Sequence, residues 1–278
     1  MLTRLSRSQI TGMNFHYIHY PLAHFLDAMS RLHVTRIELW GAEPHCYVEE
    51  LGAGEIRAIR QMATSRGLSI VCFTPEQCMY PINLAAAETE WRERSIRYFE
   101  KSIAVATELE APYMLVTPGW GYRSEPAEEA WKRSRDSLER LAHTAIGQGV
   151  TLALEPLTPV ESNLVNDAKT LGRMLQEISS PQLKGMLDTI PMAVNGESIQ
   201  EYFQALAKDL VHIHFVDGNP DGHLAWGDGN LPLASYLQQL KENGYAGSLS
   251  LEFTSARYWI SPDAAVKQSL DALAPYMG

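Results

Sequence analysis

The stretch TLALEPLTPVESNLVNDAKTLGRMLQEISSPQLKGMLD, residues 151–188, decides how the chain is expected to fold. Its two apolar runs, residues 151–155 and 184–188, are typical of strands that are buried on both faces. Between them, apolar residues recur at helical spacing over 171–178, and Asp167 is placed to cap that helix. A strand, a helix and a second strand in this order predict one unit of a parallel sheet.

The same alternation of strand and helix patterns runs through the whole chain of 278 residues. The last helical pattern begins with Ser261 as a cap residue, followed by Pro262 at the first helical position. The predicted strands are residues 11–15, 36–40, 69–74, 113–117, 151–155, 184–188, 211–216 and 248–253.

We therefore expect an α/β protein with a single (β/α)8 TIM barrel domain over residues 1–278. Eight strand–helix units match that barrel, which typically takes about 250 residues. An open doubly wound sheet is the alternative, but no G-x-G-x-x-G motif follows the first predicted strand. No linker-like or low-complexity stretch divides the sequence.

The composition narrows the class of protein further. Hydrophobic residues make up 45% and charged residues 20%, which excludes a disordered chain, a collagen and a coiled coil. A formal charge of −10 gives no global reason to expect nucleic acid, and no apolar run is long enough for a membrane span. Residues 1–14 do not contain the apolar region that a secretory signal has, and the cysteines Cys46, Cys72 and Cys78 form no C-x-x-C motif. We expect a cytoplasmic protein with free thiols and neither nucleic-acid nor membrane partners.

Four successive predicted strands each end in a side chain that can bind a metal: Glu155, Asp188, His214 and Glu252. Barrel enzymes carry their chemistry at the C-terminal ends of the strands, so these side chains are expected to meet at one rim. Each residue alone could be a cap or a core hydrogen-bond partner. Together, three carboxylates would repel one another, and a divalent cation would offset that repulsion.

Oxygen ligands with one imidazole suit hard or borderline cations better than a thiolate zinc site does. We expect one divalent ion, with Mn²⁺ or Co²⁺ ahead of Mg²⁺, Fe²⁺, Ni²⁺ or Zn²⁺. Four protein ligands on an octahedral ion leave two positions, which suit a chelating substrate such as a carbonyl beside a hydroxyl.

Several motifs resemble the xylose-isomerase-like barrel superfamily and, within it, the ketose 3-epimerases. The most specific is EPLTPVESN at residues 155–163; the others are IELWG at 37–41, FTPE at 73–76, MLD at 186–188, HIHFVD at 212–217 and GDGNLPL at 227–233. This resemblance covers almost the whole chain. It implies a metal-dependent isomerase that inverts C3 of a ketose, or of a fructosamine (an Amadori compound), through a metal-stabilised enediolate.

The resemblance also implies roles for individual residues. Glu155, Asp188, His214 and Glu252 would bind the metal, and Glu155 and Glu252 would be the catalytic acid–base pair, without fixing which removes the proton. Glu161 would contact the sugar substrate. Relatives are often dimers or tetramers, so a homo-oligomer is expected.

Three further residues are candidates for substrate contact. His45 matches the family and follows the second predicted strand, while Trp120 and His223 lie in the loops after strands four and seven. Plain packing is the alternative for each. Glu38, inside strand two, either points into the barrel mouth or is a buried hydrogen-bonded acid.

Two positions depart from the free-ketose epimerases, which commonly carry a histidine three residues after the metal aspartate and an arginine six residues after the metal histidine. Here Pro191 and Pro220 occupy those positions. The C1–C2 end of the substrate is therefore expected to be held differently, which would fit an amine at C1.

Three other functions remain open at this point. A related sugar isomerase or inosose-type dehydratase would keep the barrel and the metal. A nuclease of the endonuclease IV type should need more histidine ligands and a basic face, neither of which is evident. A sugar-binding barrel without catalysis is the non-enzymatic alternative.

Overall fold

A closed barrel of eight parallel strands is the centre of the computed structural model, which describes residues 5–77 and 81–278. Each strand pairs with its neighbours in sequence, and the barrel closes where Ile10 of the first strand lies opposite Leu249 of the last. The strands are β1 (Ile10–Met13), β2 (Arg36–Gly41), β3 (Ser69–Pro75), β4 (Tyr113–Val116), β5 (Thr151–Leu154), β6 (Leu183–Asp188), β7 (Leu210–His214) and β8 (Ser248–Leu251). The predicted barrel is confirmed.

The helices lie between the strands in sequence. They are α1 (Leu22–Arg31), α2 (Ala53–Thr64), α3 (Thr89–Glu108), α4 (Ala127–Ala145), α5 (Ala168–Ile178), α6 (Thr189–Val194), α7 (Ile199–Leu206), α8 (Leu233–Glu242) and α9 (Pro262–Leu273). The sequence patterns did not predict α6, because six residues with a proline inside give too little periodicity. It begins directly after Asp188, whose Oδ1 accepts a hydrogen bond from the Ile190 backbone N–H at 2.8 Å.

Two of the helix starts were predicted from capping residues. Asp167 caps α5 as expected, with its Oδ1 accepting from the Thr170 backbone N–H at 2.7 Å. Pro262 opens α9, but Ser261 makes no side-chain cap there, which corrects that part of the prediction. The acid in the first turn of α9, Asp263, instead contributes the negative charge that a helix N-terminus favours.

Most of the core lies between the strands and the surrounding helices, while a smaller apolar cluster and a group of polar side chains are buried apart from it. Alternation along β7 separates the two environments, because Ile213 joins the main core whereas His212 and His214 share the opposite face. Cys46 and Cys72 are buried free thiols, and Cys78 lies outside the described residues. In the described part of the chain, no helix is both long and apolar enough to cross a membrane.

Candidate metal centre and active site

Glu155, Asp188, His214 and Glu252, which we call the quartet, meet at the carboxyl ends of β5 to β8. Asp188 and His214 end β6 and β7, and Glu155 and Glu252 directly follow β5 and β8. One ligand atom from each of the four lies within 4.8 Å of the others. The Nδ1 atom of His214 is 3.0 Å from Glu155 Oε1, 3.0 Å from Glu252 Oε2 and 3.8 Å from Asp188 Oδ2. The four residues that the sequence analysis grouped by their position at strand ends therefore lie together in the structure.

The donor atoms of the quartet fit a divalent cation. Nδ1 of His214 is buried and makes no hydrogen bond with any described residue, while its Nε2 lies 3.1 Å from Glu38 Oε1. A ring nitrogen that faces three carboxylates without a hydrogen bond of its own has the arrangement of a ligand set. The side chain of Glu252 is 14% exposed, so the set opens toward solvent on that side.

The charges of the quartet shift its pKa values strongly. Burial raises the pKa of Glu155 to about 8, although His214 opposes that shift. Burial disfavours the charge on His214, but Glu252, Glu38 and Glu155 outweigh it and raise the pKa of His214 well above its ordinary value. Protons on these two groups relieve the clustered negative charge, and a bound cation would displace them.

A cavity of about 490 Å³ opens above the quartet. It has the size of a site for a small molecule such as a sugar. Aromatic rings of Phe15 and Trp40 form part of its wall, and its acidic residues are Glu76, Glu155, Glu161, Asp188, Asp221 and Glu252. Among the described residues that line it, none is a lysine or an arginine. The cavity therefore favours neutral or cationic molecules over anions.

Two of the predicted substrate contacts, Glu161 and His223, line this cavity. Glu161 is held by Thr158, whose hydroxyl donates to Oε2 at 2.6 Å. His223 donates from Nε2 to Asp188 Oδ2 at 2.9 Å and lies 3.4 Å from Glu252 Oε2.

The other two predicted contacts, His45 and Trp120, lie outside the lining of this cavity. Both ring nitrogens of His45 are engaged within the surrounding loops, Nδ1 with Asn14 Nδ2 and Nε2 with the Tyr20 carbonyl oxygen, each at 2.8 Å. Trp120 lines a separate cavity beside Trp91 and Tyr122. His45 is therefore bonded within the loops, whereas Trp120 is 40% exposed, and substrate contact by either residue stays a prediction.

The loop that carries His223 is held by one buried carboxylate, Asp217, which sequence reasoning missed. Asp217 accepts hydrogen bonds of 2.9–3.0 Å from four backbone N–H groups, those of Gly218, Gly227, Gly229 and Leu231. Gly229 is required for this approach, because a Cβ there would lie 2.4 Å from Asp217 Oδ1. The spacing of glycines after an aspartate at the end of HIHFVD is the signal that could have found it.

Glu76 is a further acid of the cavity and follows the last residue of β3. Three other acids, Glu43, Glu49 and Glu50, are exposed. Glu76 instead lines the cavity, where Trp40 Nε1 donates to its Oε2 at 3.0 Å. Burial raises the pKa of Glu76 above its ordinary value.

The fold is a (β/α)8 barrel, and four successive strands carry three carboxylates and a histidine at their ends. This combination is typical of barrel enzymes that use a metal ion in reactions of small molecules. The chain belongs to the xylose isomerase-like TIM barrel family, whose model matches residues 26–276.

Curated relatives are named epimerases. The chain is 32% identical over 253 residues to the fructoselysine 3-epimerase of Shigella flexneri, covering 90% of this chain and 91% of that protein. It is 27% identical to an L-ribulose 3-epimerase of Mesorhizobium japonicum, covering 63% of this chain and 59% of the other. These relatives confirm the predicted resemblance and the prediction that the protein is an enzyme, an isomerase of the epimerase class.

Solved structures share the fold. A D-psicose 3-epimerase with D-tagatose from Clostridium cellulolyticum H10 matches with a TM-score of 0.80 at 18% identity, over 96% of this chain and 99% of that chain. A structure of L-ribulose 3-epimerase matches with a TM-score of 0.82 at 20% identity, over 97% and 94% of the two chains.

Proposed function

We propose that the protein is a metal-dependent 3-epimerase that inverts C3 of a ketose carrying an amine at C1, a fructosamine such as fructoselysine. The observation that carries this proposal is the placement of two carboxylate oxygens, Glu155 Oε1 and Glu252 Oε2, each 3.0 Å from the same unpartnered ring nitrogen of His214. The 32% identity to a fructoselysine 3-epimerase over most of both chains supports the choice of substrate class.

Glu155, Asp188, His214 and Glu252 are the residues that would hold the cation, with Mn²⁺ or Co²⁺ as the expected ions. A divalent cation bound there would supply positive charge beside the substrate ketone, which makes the neighbouring C3 hydrogen more acidic. The remaining steps fall to the protein side chains.

Glu155 and Glu252 would move the proton. One carboxylate removes the hydrogen from C3, the electron pair of that bond passes into the enediolate, and the other, protonated carboxyl returns a proton to the opposite face of C3. Burial raises the pKa of Glu155 to about 8 in the metal-free site, and the positive charge of a bound cation would lower it, which favours the carboxylate that removes a proton. The two groups follow β5 and β8, the outer strands of the four that supply the quartet, so a sugar can lie between them.

The cavity lining favours a substrate with an amine. Six acidic residues and no lysine or arginine are found among the described lining residues. Glu76 and Asp221 lie outside the quartet and keep their charge available for an ammonium group after a cation has bound. Pro191, which replaces a histidine of the free-ketose epimerases, lines the same cavity and offers no side-chain donor to a C1 hydroxyl.

The test is proton exchange in D₂O. The protein is stripped of metal, restored with Mn²⁺ or Co²⁺, and incubated separately with fructoselysine, fructose and psicose while NMR follows each sugar. We expect deuterium at C3 together with a C3-inverted product, faster with fructoselysine than with either free ketose. Exchange at C1 without inversion at C3 would instead indicate an aldose–ketose isomerase. Faster turnover of psicose than of fructoselysine would refute the amine-bearing substrate.

A further inference from the structure

A buried polar network lies beneath the quartet, inside the barrel. Its centre is the carboxylate of Glu38 on β2, which accepts hydrogen bonds from the hydroxyl of Thr74, from His212 Nε2 at 2.7 Å and from His214 Nε2 at 3.1 Å. The side chains of Glu38, His212 and His214 are all fully buried. A buried carboxylate is tolerated when it is well hydrogen-bonded, and here both oxygens have donors.

The strand register is irregular beside Glu38. The pairing of β2 with β3 shifts by one residue between Ile37 and Glu38, so that Glu38 lies beside Cys72 and Trp40 beside Thr74. Such irregularities re-aim side chains and are frequent next to active sites. The extra residue lies on β3, so the shift places Cys72 and Thr74, and not their neighbours in sequence, beside Glu38 and Trp40.

The two ring nitrogens of His214 face different carboxylates. Nε2 faces Glu38, and Nδ1 faces Glu155 and Glu252. A carboxylate at Nε2 accepts a hydrogen bond only if Nε2 carries the proton, and a neutral ring then has its lone pair on Nδ1.

We propose that Glu38 is a positioning residue for the metal centre: its carboxylate keeps the proton of His214 on Nε2 and so presents Nδ1 to the cation. The inference rests on the proposed metal-dependent function. Glu38 touches neither the cavity nor the carboxylates of the quartet, and it acts through His214. A second partner on the far nitrogen of a ligating histidine fixes its orientation and makes it a better ligand.

His212 has a different part in the same arrangement. Its Nε2 donates to the second oxygen of Glu38, and its own Nδ1 has no hydrogen-bond partner among the described residues. His212 and Thr74 therefore fix the plane of the carboxylate that His214 needs, and neither contributes an atom to the quartet.

The test compares Glu38→Gln with Glu177→Gln, the same substitution at an exposed glutamate on α5 that bonds Trp131. The two histidines bond different oxygens of Glu38, and an amide at position 38 keeps an acceptor at only one of these two positions. We expect the dissociation constant for Mn²⁺, measured by calorimetry on metal-stripped protein, to rise about 10- to 100-fold in Glu38→Gln and to stay unchanged in Glu177→Gln.

A spectroscopic readout keeps the inference testable if Glu38→Gln does not fold. In wild-type protein labelled with ¹⁵N-histidine and loaded with Zn²⁺ as a diamagnetic probe, long-range ¹H–¹⁵N spectra should place the His214 proton on Nε2. A proton on Nδ1, or a folded Glu38→Gln with wild-type affinity for Mn²⁺, would overturn the inference and leave the proposed function standing. Failure of the wild type to bind either ion would overturn both.

Discussion

Nε2 of His223 lies 2.9 Å from Oδ2 of Asp188, so a loop histidine and the acid at the end of β6 share a hydrogen bond at the floor of the cavity. The same ring nitrogen is 3.4 Å from Glu252 Oε2. His223 is thus the one basic side chain among the described residues that line an acidic cavity. It can donate to a substrate oxygen beside Pro191, which lines the same cavity and supplies no donor.

Substitution His223→Asn should lower kcat/KM for the fructosamine about 10- to 100-fold, because a hydrogen bond that involves charged groups contributes about 1.5–3 kcal/mol. Mn²⁺ affinity should fall as well, because His223 bonds the ligand Asp188 as Glu38 bonds the ligand His214. Steady-state kinetics and calorimetry measure both. The exposed His143 on α4 gives the matched control, His143→Asn, which should behave as wild type. An unchanged kcat/KM for His223→Asn would remove His223 from the substrate site.

Substitution Asp188→Asn should weaken Mn²⁺ binding by about 100-fold or more, since it removes a ligand charge and not merely a supporting contact. The remaining amide oxygen can still accept from the Ile190 backbone N–H, so α6 should keep its cap. Calorimetry of metal-stripped protein measures the loss. Asp271→Asn is the control, because Asp271 is an exposed partner of Lys267 on α9. Wild-type affinity in Asp188→Asn would exclude Asp188 from the metal site.

Substitutions Glu155→Gln and Glu252→Gln should each reduce epimerisation about 10²- to 10⁴-fold at saturating metal, the range for loss of a general acid or base. Each variant keeps one carboxylate, which can still remove and return a proton on its own face of C3. We therefore expect each variant to exchange the C3 hydrogen of only one of the two epimers in D₂O, and the two variants to differ in which one. Exchange of both epimers by either variant would contradict a two-base mechanism.

The acid stability of the fold should depend on His16. This residue is fully buried and contacts the ring of Phe253, and burial lowers the pKa of His16 to about 3. The unfolded chain therefore binds a proton below about pH 6.5 that the folded protein does not, so acid favours unfolding.

Urea unfolding at pH 6.5 and pH 4.5 should show that wild type loses about 2 kcal/mol more free energy of unfolding than His16→Phe between these values. The difference should vanish above pH 7.5, where neither state binds this proton. Equal pH dependence in the two proteins would mean that His16 takes up its proton in the folded state.

Substitution Asp217→Ala should reduce the free energy of unfolding by about 3 kcal/mol, because four backbone N–H groups lose a buried acceptor. The urea midpoint measures this loss, and the control is Asp136→Ala, a substitution at an exposed position of α4. The KM for the sugar should rise as well, since the loop with His223 loses its anchor. A stability equal to that of Asp136→Ala would show that water satisfies these N–H groups.

The barrel and the quartet were accessible from sequence for physical reasons. Parallel strands that are buried on both faces produce apolar runs, and eight such runs predict a barrel. The carboxyl ends of these strands meet at one rim, independently of the conformation of the loops. That rule was enough to group Glu155 with Glu252. The homo-oligomer and the identity of the ion stay predictions.

The positions of loop side chains were harder to predict from the sequence, because their direction depends on turns that no periodicity in the sequence encodes. His45 and His223 were predicted on similar grounds, yet His45 is bonded within the loops and His223 reaches the quartet. Glu38 was undecided because its partners come from β3 and β7, and a strand pattern does not reveal which side chains of distant strands meet inside the barrel. Glu76 follows the last residue of β3, and only the fold distinguishes it from exposed acids nearby.

The four hydrogen bonds to Asp217 also bear on how the enzyme would meet its substrate. Because residues 218–231 are fixed around a buried carboxylate, the conformational entropy of this segment is lost once, when the chain folds, and not at every encounter with a sugar. His223 is then already in place when a ligand arrives. On this side of the barrel, a sugar would meet a preorganised surface and would not have to order the loop when it binds.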